Sequence, residues 1–365
     1  MSVCIVVEPE YEQSIWCMSI LDGLYQALRH KRMLYMEMPI EQIPVSGKEP
    51  SAVIVIGSSP GWLNNAVHVC QMRRQKPVVL SNQPHRSFQG EYSYVCLDMM
   101  QSMQYLAGYL RDRKRRSTAL YGIHMHSLAD RDRLESYRTW FGADDESVFW
   151  NHNSLEACFE QFAAHAHLFD SVICANDFAA ISLVKRLEQL EIPSSDLLII
   201  SYSGASLTSM YRSKLLLVTM NFKDFGSAAV AVCNAMLKNP AISSMNVKVK
   251  WNMDLEPGDW GYALQPAGTD ALTSASGEER IYDDPELMRM MQVEHLLSRA
   301  DPTDRVILKE LMRGRPYEEI AGTCYLSLHS IKYRTKKMMA DCGASSKKEL
   351  VARLKEYIED EGLLG

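Results

Sequence analysis

No run of about 18 or more uninterrupted apolar residues occurs, the length a membrane-crossing helix needs. Nor does a basic stretch with a small-residue cleavage site precede the first apolar run, Val3 to Val7. Neither export nor a membrane span is expected, and the chain reads as cytoplasmic. Cysteines are present but not paired: there are nine, an odd number, with no CxxC spacing, and Cys4, Cys96, Cys174 and Cys233 sit inside apolar runs. They read as reduced core residues rather than a disulfide or zinc framework. There is no GxGxxG after a strand, no phosphate loop with Gly-Lys-Ser and no HExxH, so neither catalysis nor a cofactor is expected. Positive charge is in deficit, with 39 Lys and Arg against 45 Asp and Glu, a net charge of −6. Such a surface does not coat a polyanion as a whole, so local charge carries more information than the total.

At 365 residues the chain exceeds the roughly 250 to 300 at which one hydrophobic core stops growing, so at least two folding units are expected. Up to about residue 264, short apolar or β-branched runs alternate with longer segments of helical periodicity. The strands are placed at Val3–Val7, Leu34–Met38, Ala52–Ile56, Pro77–Leu80, Tyr94–Leu97, Thr118–Gly122, Ser147–Trp150, Ser171–Ala175, Leu197–Ser201 and Leu215–Met220. Helices are placed between them at Ile15–Lys31, Met99–Arg111, Phe178–Leu190 and Lys223–Leu237, among others. Near-continuous apolar strands separated by helices imply parallel sheets covered on both faces. Ten strands are too many for one small sheet, so two lobes are expected. Residues 266–284 (PAGTDALTSASGEERIYDD) are rich in Gly, Pro, Ser, Thr and acids, and read as a linker. Beyond it, 285–365 is purely helical.

In that segment Thr303 to Met312 forms one amphipathic helix, with Thr303 or Asp304 as its cap, and Gly314 ends it. A short helix, Tyr317 to Thr323, follows, then a turn at Cys324 to Leu326. Ser327 caps a third helix, Leu328 to Met339, with Ile331, Thr335 and Met338 on one face and His329, Lys332, Tyr333, Lys336 and Lys337 on the other. A fourth runs from Lys347 to Ile358. Between Ser327 and Lys348 there are six basic residues (332, 334, 336, 337, 347, 348) and one acid, Asp341. Short helices joined by a tight turn, the last with a basic exposed face, are the arrangement that enters a DNA major groove; a solvated charged face is the plain alternative.

Arg305, Val306, Leu311, Gly314, Glu319, Ile320, Ala321, Ser327, Ser330, Ile331, Lys332 and Gly343 resemble the LuxR-type helix-turn-helix of bacterial regulators over about 60 residues. The resemblance implies that Lys332, Tyr333 and Lys336 face base edges, while Ser330, Arg334 and Lys337 hold phosphates, with Ser327 and His329 at the helix start. Arg334 stands where that family has a histidine, and Asp341-Cys342 where it has Lys-Leu. One such module is small and palindromic sites are read by dimers, so a homodimer on double-stranded DNA is expected.

The N-terminal part resembles the sensor core of the lactose- and ribose-repressor family, akin to periplasmic binding proteins. Asp170–Ser203 follows that family's run of strand, Asn-Asp, helix, Pro and strand; RLESYR at Arg133–Arg138 matches its arginine-bearing helix start, and Leu215–Gly226 its last crossover. The implied architecture is α/β: a two-lobed periplasmic-binding-protein-like domain over 1–265 (lobe 1 about 1–98 and 223–246, lobe 2 about 99–222 and 247–265), then an all-α four-helix helix-turn-helix domain at 285–365. That family binds a small polar, carbohydrate-like ligand between lobes at strand ends, which maps here to Trp16, Ser58, Ser59, Asp98, His124, Arg133, Asp177, Ser203 and Asn221. Trp16 reads equally as core, and Asp177 as a cap for the helix after it. Ser203 replaces the family's Asp and Asn221 its Gln. His124 and His126 read as loop or ligand-contact residues, since no third metal ligand sits at a telling spacing. The family carries its DNA-binding helices in front of the sensor, whereas here the reader follows it. The resemblances together imply a one-component, ligand-responsive regulator, with Pro285–Ser298 as either a coupling or an ordinary docking helix. The competing classes are a phosphorylated response regulator, a ligand-binding scaffold and an enzyme.

Overall fold

The computed structural model describes residues 2–12, 15–45, 52–81, 90–125, 127–142, 144–190, 197–203, 207–211, 214–253 and 284–358. Among them the fold is α/β, with two six-stranded sheets flanked by helices, followed by an all-α segment. The strands are β1 (Ser2–Val7), β2 (Leu34–Glu37), β3 (Ala52–Ile56), β4 (Lys76–Leu80), β5 (Ser93–Leu97), β6 (Thr118–Ile123), β7 (Val148–Trp150), β8 (Ser171–Cys174), β9 (Leu198–Ser203), β10 (Leu216–Thr219), β11 (Asn246–Val249) and β12 (Asn252–Met253). The helices of the same stretch are α1 (Ile15–His30), α2 (Pro60–Met72), α3 (Met99–Asp112), α4 (Leu128–Phe141), α5 (Leu155–His165), α6 (Asp177–Gln189) and α7 (Phe222–Lys238).

Two compact units divide the chain. The first comprises the described residues of Met1–Lys114, Ser127–Asp144 and Val218–Thr273; the second, those of Arg115–His126, Asp145–Leu217 and Ser274–Gly365. In this division α3 and α4, which the sequence reading assigned to the second lobe, lie with the first unit.

The first sheet has the order β11-β5-β4-β3-β1-β2, and its pairs are parallel. Its strands alternate between two apolar layers. Val3, Ile5, Ile54, Ile56, Val78 and Leu80 belong to the core that includes α1 and α7. Cys4, Val6, Val53, Val55 and Val79 face the other way, with Leu63, Ala66, Val67 and Cys70 of α2. The period-2 geometry of a strand thus accounts for continuous apolar runs: each face has its own helical cover. A fully buried aliphatic side chain contributes about 1.5–3 kcal/mol, and Ile54, Ile56, Val53 and Val55 are all at 0% exposure. Helices α1 and α7 touch backbone to backbone. A Cβ on Gly23 would lie 2.1 Å from Lys223 O, and one on Gly226 2.1 Å from Ile20 O. Only glycine permits that approach.

The second sheet has the order β12-β10-β9-β8-β6-β7, parallel at β7/β6, β6/β8 and β8/β9, with β12 antiparallel to β10. β11 and β12 were not anticipated: β11 (NVKV) is an edge strand, half exposed, and its Asn and Lys hide it from a search for apolar runs.

The C-terminal helices are α8 (Pro285–Arg299), α9 (Pro302–Met312), α10 (Tyr317–Cys324), α11 (Leu328–Asp341) and α12 (Lys347–Tyr357). They share one apolar cluster with the second sheet, running from Ala119 and Tyr121 through Leu207 and Tyr211 to Met290, Ile307, Ile331 and Tyr357. Of the expected linker, 266–283 lies outside the described residues. Its last residue, Asp284, is 3% exposed, with Oδ1 accepting from Glu286 N at 2.8 Å and Oδ2 from Leu155 N at 2.7 Å. The cap of α9 also differs from expectation. Asp301, rather than Thr303 or Asp304, accepts from Asp304 N, and Asp304 returns a bond to Asp301 N. Pro302 fixes this start, because the first helical position needs no N–H.

Candidate nucleic-acid interface and ligand-facing residues

Helix α11 is held by its apolar face: Ile331 and Thr335 are fully buried, Met338 nearly so, and Thr335 Oγ1 donates to Ile331 O at 2.9 Å. Its start is fixed by Ser327, whose Oγ accepts from Ser330 N at 3.1 Å and lies 2.8 Å from Ser330 Oγ. The turn before it closes on Tyr325, in the left-handed region at φ 54°, with Leu326 N donating to Ala321 O. Opposite the buried stripe, His329, Lys332, Tyr333, Lys336 and Lys337 are all exposed, at the i, i+3, i+4, i+7 spacing that shares one helix face. None of the three lysines has an ion pair among the described residues. Tyr333 is 67% exposed, and Tyr325, which sequence reasoning placed only in a turn, is 95% exposed beside the helix start.

Arg334 is engaged differently from the phosphate contact expected of it. Its Nη1 lies 2.8 Å from Asp301 Oδ2 and 2.7 Å from Asp304 Oδ1, so it ties α11 to the capped start of α9. Bonding to Asp301 and Asp304 holds its guanidinium pKa above the ordinary value, and the same contact holds the Asp301 carboxyl below its own.

The residues mapped to ligand recognition lie at or just after the C-terminal ends of strands, except for Trp16, in the first turn of α1, and Arg133, in the second turn of α4. In the first unit, Ser58 and Ser59 turn their amides onto Glu8 Oε2 at 2.8 and 3.1 Å, at the start of α2. Glu8 is 4% exposed and was missed as a site residue. Its signal was an acid ending an apolar strand, and a carboxylate at a helix N-terminus is favoured by the dipole and the unpaired amides. Trp16 is half-buried against the α1/α7 core, its ring 5.6 Å from that of Tyr11. Asp98 caps α3 through Gln101 N at 3.2 Å and lies 3.5 Å from Lys248 Nζ. Arg133 is 7% exposed and ion-paired with Asp130. Beside it, burial pushes the Asp132 carboxyl up to about 6, against the opposing pull of Arg133. Asn221 is exposed and caps α7 through Lys223 N at 3.2 Å.

In the second unit, His124 is 4% exposed with Nε2 at 3.0 Å from Asn153 Oδ1. His126 lies outside the described residues, as does the side chain of Ser203 on β9. Asp177 is not the cap of α6: Asn176 takes that place, accepting from Ala179 N at 3.0 Å. Asp177 Oδ1 instead accepts from Thr208 Oγ1 at 2.7 Å and Ser201 Oγ at 3.4 Å. No group of three or more His, Cys, Asp or Glu side chains suited to a metal occurs among the described residues. No described helix is long and apolar enough to cross a membrane.

No family model matches the sequence, and no curated protein matches it. Solved structures do. The transcriptional regulator CelR in its cellobiose complex matches at TM-score 0.55 and 14% identity, over 69% of this chain and 82% of that one. A transcription regulator from Lactobacillus plantarum matches at 0.54 and 17%, over 68% and 96%. A LacI family transcriptional regulator from Mycobacterium smegmatis matches at 0.52 and 13%, over 69% and 96%. At these identities the likeness establishes the fold: two parallel sheets flanked by helices, as in the LacI-type regulators.

Proposed function

We propose that this chain is a cytoplasmic, ligand-responsive transcription regulator. In this reading residues 1–265 sense a small polar metabolite of carbohydrate-like chemistry, and a LuxR-type helix-turn-helix within 285–365 binds double-stranded DNA as a homodimer. The observation that carries it is the division of α11 into a fully buried stripe (Ile331, Thr335) and an exposed stripe of His329, Lys332, Tyr333, Lys336 and Lys337. Lysines without internal carboxylate partners suit phosphates and base edges, and an exposed tyrosine beside them suits a groove wall. Ser327 caps the helix through the Ser330 amide, and the remaining first-turn amides and the dipole favour an adjacent phosphate. Arg334, engaged with Asp301 and Asp304, orients the helix in this scheme rather than contacting DNA.

The sensing half of the reading is supported by the fold, and by the cellobiose complex of one structural relative. Buried or capped polar groups within each unit, Asp98 and Arg133 in the first and His124 and Asp177 in the second, include carboxylates and a guanidinium of the kind hydroxyl-rich ligands bond. Selection of duplexes from a random-sequence pool by the full chain, followed by anisotropy titration, tests the proposal. Saturable binding that weakens steeply with salt is expected. Absence of any duplex binding at low salt would falsify it.

A further inference from the structure

The second unit carries the DNA-reading helices and the expected ligand carboxylate Asp177 in one core, and a short segment touches both. Residues Leu207–Tyr211 form a 3-10 turn shortly after β9. On one side Thr208, fully buried, donates through Oγ1 to Asp177 Oδ1 at 2.7 Å. On the other, the Leu207 amide donates to Glu294 Oε2 of α8 at 2.7 Å, and Glu294 is 3% exposed. At the end of the turn Tyr211 OH donates to Tyr357 O, the last residue of α12, at 2.8 Å. Buried bonds of this kind, two of them to carboxylates, are costly to break singly.

The same helices are fastened to the second sheet's layer at further points. Arg186 of α6 pairs with Glu286 of α8 at 2.7 Å, Asp284 caps both α8 and the start of α5, and Lys185 bonds Glu356 O with its ammonium over the Tyr357 ring. With this attachment α8–α12 form one packed body with the turn, and α11 inherits its position from α8 and α9 through Ile331, Met290 and Ile307 in one cluster.

We infer that the Leu207–Tyr211 turn is the relay of the regulator, passing a change at Asp177 to the DNA-reading helices through Glu294 and Tyr357. This rests on the function proposed above and assigns the regulation to named groups. A ligand hydroxyl that takes up Asp177 Oδ1 competes with Thr208, and a shift of Thr208 acts on the amide of the preceding residue, Leu207, the one held by Glu294. Thr208 and Glu294 are then positioning residues that touch neither ligand nor DNA. Linkage requires the two occupancies of Asp177 to favour different settings of α8.

The test uses the full chain and the duplex it selects from a random-sequence pool. T208V removes the hydroxyl donor at nearly constant volume, and E294Q weakens the amide anchor while keeping its shape. Each is expected to shift the Kd for that duplex at least threefold, with unchanged salt dependence, since no phosphate contact is altered. The double variant is expected to match the larger single effect rather than their product. Amide exchange is expected to quicken in 285–299 in T208V while β6 and β8 stay protected. Affinities within twofold of the parent, or a double variant equal to the product, overturn the relay. Where the parent binds no duplex, the proposed function falls, and exchange alone decides the relay: unaltered rates in 285–299 in both variants overturn it.

Discussion

Helix α11 and the polar residues at the strand ends are built on opposite terms. On α11 the side chains of Lys332, Tyr333, Lys336 and Lys337 stand in water, fixed only through the buried stripe beneath them. At the strand ends almost every candidate is already bonded within the protein, Glu8 to two amides, Asp177 to two hydroxyls and His124 to Asn153, and so is Arg133 of α4, to Asp130. A surface of the first kind gains by meeting a polyanion, because only mobile counterions are displaced. A site of the second kind exchanges one bond for another, so selectivity there comes from which internal partners a ligand can replace. Affinity is the natural measure of the first region, and competition that of the second.

The contrast is broken most directly on α11. K332A/K336A is expected to weaken duplex binding by about 100-fold or more, roughly 3 kcal/mol for two contacts, and to reduce the salt slope, with the unfolding transition unchanged. Loss of folding with loss of binding would mean that these lysines serve the protein interior after all.

Titration sharpens the second region. Burial holds the Asp132 carboxyl at about 6 in the folded chain, above its ordinary 3.8. The folded state therefore retains a proton that the unfolded state gives up, and stability falls as pH rises from about 4 to about 6. D132N is expected to be more stable than the parent above pH 6, by about 2 kcal/mol, and to differ little at pH 4. Denaturant unfolding at the two pH values measures this; a variant less stable at pH 8 would show that the ionised carboxylate is needed there, beside Arg133.

The smallest effect belongs to Arg334, on the border of the two regimes. R334A is expected to cost about 1 kcal/mol or less in stability, since its ion pairs with Asp301 and Asp304 are partly exposed. Its effect on binding should vary little with salt. A change of the salt slope by about one unit would instead assign Arg334 to a phosphate.

Much of this was readable from local pattern. The ten anticipated strands occur within a residue or two of their expected bounds, because an apolar run between two turns has few other places to go. The same holds for α11 and its cap at Ser327. What escaped the sequence was partnership between distant segments. Nothing near Glu8 announces the amides of Ser58 and Ser59, and nothing near Arg334 announces Asp301. Asp284 read as part of a polar linker because composition is a property of neighbours, whereas its two oxygens serve two helix starts, one of them at Leu155. β11 was missed for the related reason that an edge strand answers to one neighbour and to water.

The glycine contact of α1 with α7 bears on how the chain comes off the ribosome. Ser227 Oγ bonds Gly23 O across a sequence separation of 204 residues, and the apolar side of α1 that α7 covers is made long before α7 itself. Until α7 emerges, that side has no cover. Translation of β6 to β9 happens in the meantime, so the strands of the later sheet are in hand before the earlier one can finish. The growing chain thus carries a sticky, half-built layer through much of its synthesis, a period in which chaperones that bind exposed aliphatic surface have a target.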